Sequence, residues 1–169
     1  MRTITLFCVC VFVSCVEFND SGYARLNEEE KRMVKNLDCP IEQIEDYQKL
    51  YKIRVEQILD FVKKEPYVMV YDYLPFCKSP NVKTIDEIHE FAKQKGAACV
   101  VVSSVYDGIL PISPDSKTPI FVIDPAPYKT ENYQKYSERF YTELTHGNPQ
   151  KLIEKNIHYF RNGKYMGSY

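Results

Sequence analysis

The sequence predicts an α+β protein: a small sheet of about three strands with one β-α-β crossover, covered by a long N-terminal helix and by C-terminal helices. Three observations predict it. A capped helix (TIDEIHEFAKQKG, 84–96) lies between two β-rich runs, YVMVYDYL (67–74) and ACVVVSSV (98–105). Apolar residues recur every three or four positions from Ile41 to Val62. A second such stripe runs through Tyr133, Tyr136, Phe140 and Leu144.

The helix after Thr84 carries signals at both ends. Thr84 and Glu87 form a capping box, and Asp86 and Glu87 put negative charge at the positive end of the helix dipole. Ile85, Ile88 and Ala92 share one face with Phe91 beside them. Gly96 suits the left-handed position after the last turn. The flanking runs are rich in Val and Tyr, as strands are. A strand, a helix and a strand with short joints favour a right-handed parallel crossover. The continuous run Cys99–Val102 suits a strand covered on both faces.

The remaining elements follow in chain order. Asn27–Leu37 places Glu28–Glu30 ahead of Lys31, Arg32 and Lys35, the order a helix dipole favours. Ile41, Ile44, Tyr47, Tyr51, Val55, Ile58 and Val62 predict one long amphipathic helix ending near Lys64, before Pro66. It is read as the cover of the sheet. Pro119–Asp124 is a third strand, stopped by Pro125 and Pro127. Thr130–His146 is a helix ended by Gly147. From Asn148-Pro149 onward the spacing of Leu152, Ile153 and Ile157 predicts a helix to about Phe160. Asn162-Gly163 alternatively turns a hairpin joining 157–161 to 164–167.

The chain has 169 residues and a formal net charge of −1, so one domain is expected and no basic face for nucleic acid stands out. Fourteen Tyr and nine Phe exclude a disordered chain. Residues 1–15 read as a signal peptide: Met1-Arg2-Thr3 is a short basic start, and Ile4–Val16 is an apolar run too short to span a bilayer comfortably. Phe12-Val13-Ser14-Cys15 resembles the bacterial lipobox, and that resemblance makes Cys15 the lipidated mature N-terminus. Cleavage after Gly22-Tyr23-Ala24 is the competing reading, which makes the protein plainly secreted. Residues 16–26 form a polar tether, and 27–169 form the domain. The expected location is outside the cytoplasm, lipid-anchored in the bacterial envelope or else secreted.

Beyond the leader only Cys39, Cys77 and Cys99 remain, with no CxxC pair for redox or zinc chemistry. A Cys39–Cys77 disulfide is one arrangement open to an exported protein, and three free thiols is another. His89, His146 and His158 have no metal-ligand spacing, so neither metal nor cofactor is expected. Ser103 and Ser104 lack the glycine-flanked elbow of a hydrolase. Adjacent acids such as Asp86 and Glu87 do not face one another on a helix. No catalytic residue is assigned.

The helix ending Ala92-x-x-x-Gly96-Ala97, the valine strand Cys99–Val102 with Ser103 and Ser104, then Tyr106 and a proline-spaced loop are together similar to a group of exported bacterial lipoproteins of unknown function. The likeness covers Tyr67–Thr118. The chain lacks the Ser/Thr/Gly/Tyr-rich insert usual in that group, and the resemblance implies no activity and no site residues. The expected function is therefore a non-enzymatic, membrane-anchored binding or interaction protein with an unknown protein or small-molecule partner. The alternative is a small exported enzyme with a site in loops 75–83 and 106–118. It would use Cys77, with His89 as the conceivable base.

Overall fold

In a computed structural model, residues 20–77, 82–147 and 156–168 are described. The signal peptide, the lipobox and Cys15 lie outside the described residues. The strands are β1 (Val34–Asn36), β2 (Leu50–Ile53), β3 (Tyr67–Tyr73), β4 (Ala98–Ser103), β5 (Ile120–Ile123), β6 (Ile157–Arg161) and β7 (Lys164–Ser168). They form one seven-stranded sheet in the order β1-β2-β5-β4-β3-β6-β7. Neighbours from β1 to β3 are parallel. β6 joins β3 antiparallel, and β7 joins β6 antiparallel. The helices are α1 (Glu28–Met33), α2 (Val55–Lys64), α3 (Ile85–Gln94) and α4 (Tyr133–Leu144).

The expected three-stranded sheet is thus corrected to a seven-stranded mixed sheet with helices on both faces. The long N-terminal helix is corrected too. Its stripe divides into a 3₁₀ turn at Ile41–Gln43, strand β2 and helix α2. Ile41, Ile44, Ile53, Val55, Ile58 and Val62 all pack in one core cluster, with Tyr47 and Tyr51 against it. The spacing recorded which residues face inward, and a strand feeding a helix on the same face keeps such a record as well as one helix does. The break comes at Arg54, whose amide donates to the Gln57 side chain at 2.9 Å while Gln57 in turn donates to the Leu37 carbonyl at 2.8 Å.

α3 has the ends that its sequence signals require. Glu87 N–H donates to Thr84 Oγ1 at 3.2 Å, and Thr84 N–H donates to the Glu87 carboxylate at 2.7 Å. Gly96 has φ +64°, which a residue with a Cβ adopts at a cost of about 1 kcal/mol or more. The strand–helix–strand passage from β3 through α3 to β4 is parallel, with Val70 opposite Val100 and Tyr71 opposite Val101. At the other end, Ile157–Phe160, expected as the end of a helix, is instead strand; the rest of that expected helix, residues 148–155, lies outside the described residues. Asn162 (φ 48°) and Gly163 (φ 76°) are both left-handed, as a two-residue type I′ turn needs.

Alternation along the strands serves two cores. Val68, Val70, Val100, Val102, Phe121 and Ile123 face α2 and α4. Met69, Tyr71, Val101, Ile120 and Val122 face α3 and the segment holding Tyr106 and Ile109. Residues 20–26 belong to the fold and are not free tether. Ser21 and Leu26 are buried, the Ser21 carbonyl accepts from Tyr106 N–H at 2.8 Å, and Asp20 makes an antiparallel bridge to Asn132. Among the described residues no helix is long and apolar enough to cross a membrane.

Candidate functional site

Parallel sheets hold ligands at the carboxyl ends of their strands, where successive connections leave on opposite faces. Here that point falls between β4 and β5. The chain leaving β4 runs over the α3 face, and the chain leaving β5 forms α4 on the other. The expected loops do meet at this edge. A Cβ at Gly108 would lie 3.4 Å from Pro75 Cβ, and Phe76 packs edge-on to Tyr133 with ring centroids 6.5 Å apart.

The crevice itself is filled by the protein's own chain. Ser21 is buried there and donates through Oγ to Glu131 at 3.2 Å. Tyr136, fully buried on α4, donates its hydroxyl to the Ser104 carbonyl. Tyr23 packs edge-on against Tyr106 at 5.1 Å. Arg25 binds Asp20 at 2.7 Å and also Asp107, fastening the segment to the loop after β4. Ser103 is engaged as a local turn: its Oγ donates to the Val105 carbonyl at 2.9 Å.

Cys77 is half-buried just beyond this edge. Among the described residues no basic side chain is hydrogen-bonded to it. The conceived partner His89 is committed elsewhere, with Nε2 2.8 Å from Thr118 Oγ1. Burial lowers the His89 pKa, with Asp86 opposing. His89 and Thr118 line an open cleft of about 820 Å³ between α3 and the segment before β5, together with Cys99, Glu90, Lys93 and Lys117. Burial pushes the Cys99 thiol up to about 12, so it stays protonated and is a weak nucleophile at neutral pH. Cys39 lies on the other face, lining a second cleft of about 470 Å³ with Arg54, Asp60 and Lys64. Among the described residues Cys39, Cys77 and Cys99 are free thiols, and Cys39 is not joined to Cys77. Among the described residues no group of three or more His, Cys, Asp or Glu could hold a metal ion.

One polar cluster went unread in the sequence. Asp72 of β3, Tyr141 of α4 and His158 of β6 lie on the α4 face. Asp72 Oδ1, Tyr141 OH and His158 Nε2 are buried, and among the described residues none has a partner in hydrogen-bonding geometry. Tyr141 stacks on His158 with centroids 4.7 Å apart. His158 Nδ1 is 2.8 Å from Ser168 Oγ, which is 2.5 Å from the Tyr165 hydroxyl. Burial raises the Asp72 carboxyl to about 7, with the nearby Tyr141 hydroxyl opposing, and burial lowers His158 to about 4. At neutral pH the imidazole is therefore neutral and the carboxyl is near its midpoint. The signals were an acid inside a β-rich run and a His in phase with Phe160 on an alternating strand.

The arrangement defines an α/β sandwich with an antiparallel hairpin closing one edge of a parallel sheet. No family model matches the chain, and no curated protein or solved structure matches it at a significant level.

Proposed function

We propose that this is an exported protein, held at the membrane of a bacterial envelope by a lipid on Cys15, that acts by binding and not by catalysis. One observation carries the second half: the crevice where an α/β sheet most readily holds a substrate is filled by Ser21, Tyr106 and Tyr136 of the chain itself. The larger of the two clefts described, along α3, stays open. Its His89 is hydrogen-bonded and its Cys99 thiol is protonated, so it offers hydrogen bonds and mixed charge to a polar partner.

Two measurements test the halves. Wild-type protein expressed with its leader should sediment with membranes and carry a diacylglyceryl mass at Cys15, and Cys15→Ser should be released. Retention of the variant, with no lipid mass on the wild type, overturns the anchor. Iodoacetamide at pH 7 should alkylate Cys77 and Cys99 no faster than a free cysteine model. Selective, fast alkylation of Cys77 would instead favour an enzyme using the 75–83 loop.

A further inference from the structure

We infer that the carboxyl edge of the sheet, with Phe76 and Tyr133 at its rim, is the face held against the lipid surface, and that the α3 cleft, lined by Gly96, Cys99 and Thr118 at the amino ends of β4 and β5, opens at the opposite edge, away from that contact. This rests on the lipid anchor at Cys15. Five peptide steps separate Cys15 from Asp20, so the anchor lies within about 17 Å of Asp20 even at full extension. Asp20 is not free to swing. Its backbone bridges Asn132, its carboxylate is held by Arg25, and Ser21 is bound on both sides by Tyr106 and Glu131. The chain toward the anchor therefore leaves the fold at the carboxyl edge.

The exposed aromatic surface is placed to match. Asn132 is followed directly by Tyr133, whose ring packs on Phe76, and Phe76 is 54 % exposed. An exposed aromatic is favoured at a membrane interface, where an apolar ring meets headgroups. Of the acids at this rim, Asp20 and Asp107 are both paired with Arg25, while Glu131 and Asp124 also lie there, Glu131 accepting from Ser21 Oγ, so the contact rests on the tether and the exposed ring and not on charge. Lys129 and Lys135, flanking the Asp20–Asn132 bridge along the chain, are exposed. At the other end of β3, Tyr67 is also exposed, at 43 %, but it lies six strand residues from Tyr73, about 20 Å away.

The chain contains no Trp, so Phe76→Trp and Tyr67→Trp each supply one emitter at opposite edges. Both sites are exposed, so both variants should fold, as circular dichroism will check. Each full-length lipidated variant is placed in phosphatidylethanolamine–phosphatidylglycerol vesicles carrying a headgroup-region nitroxide lipid. Emission from Phe76→Trp should be quenched several-fold more than emission from Tyr67→Trp. Equal quenching, stronger quenching at residue 67, or none at either site in protein carrying the lipid mass overturns the orientation and leaves the anchor standing. Absence of the lipid mass, with no vesicle binding, overturns the anchor and this inference together.

Discussion

Val101→Asp will fail to give a cooperatively folding protein. Val101 is fully buried at the centre of β4, opposite Tyr71 of β3 on one side and Ile120 of β5 on the other. It belongs to the core shared with Ile88 and Ala92 of α3. The nearest polar group in the cross-strand pair is the Tyr71 hydroxyl, already used by Lys83: it donates to the Lys83 carbonyl at 2.8 Å and accepts from the Lys83 amide at 2.9 Å. A carboxylate at 101 would be unpaired in a dry layer, at a cost of several kcal/mol. Domains hold only about 5–15 kcal/mol in total. Val101→Thr keeps the shape and adds one hydroxyl, so it should fold with a loss of about 1–3 kcal/mol. Urea unfolding followed by circular dichroism compares them. A Val101→Asp protein within about 1 kcal/mol of wild type would show that β4 is not the buried strand described here.

α3 was legible because its determinants are local: Thr84, Glu87 and Gly96 act within one turn of the residues they cap. The apolar strand β4 announced itself by being covered on both faces. β1 did not, because it is three residues long and Lys35 and Asn36 are exposed at the sheet edge. β2 was masked because its inward residues continued the spacing of the turn before it and the helix after it. The hairpin β6–β7 was present in the sequence as Asn162-Gly163, but His158 at an inward position interrupted the apolar alternation that identifies a strand. The candidate site was legible only in its loops. Filling of the crevice by residues 20–26 depends on bridges from Asp20 and Ser21 to residues more than a hundred positions away, and no local pattern encodes such pairings.

Asp72→Asn will raise the melting temperature, and the gain will depend on pH in a stated direction. Asp72 Oδ1 is buried, and among the described residues it has no partner in hydrogen-bonding geometry; the nearby Tyr141 hydroxyl offsets only part of the cost of burial, and the residue as a whole keeps partial exposure. Its folded pKa is raised from 3.8 to about 7. Between those values the folded state keeps a proton that the unfolded state has released, so stability falls as pH rises across the window and the full penalty is present above it. His158 runs the other way. Its folded pKa is lowered from 6.5 to about 4, so stability falls as pH drops below 6.5. Tyr141, which faces both, is raised well above 10 and stays neutral throughout. In the wild type the two slopes oppose each other between about pH 4 and 6.5, and its melting temperature should change little there from this cluster. Asn mimics the protonated carboxyl at the same volume. Asp72→Asn should therefore match the wild type near pH 4, gain steadily, and level off above pH 7 on the order of 10 °C higher. Each unit of raised pKa is worth about 1.4 kcal/mol, and each kcal/mol about 2–4 °C in a protein of this size. His158→Gln should leave the Asp72 slope exposed, so its stability declines from pH 4 to pH 7. Calorimetry across pH 4–8 reads both variants. A difference between Asp72→Asn and wild type that is the same at every pH would mean that the Asp72 carboxyl is solvated, and that β3, α4 and β6 do not close over it as described.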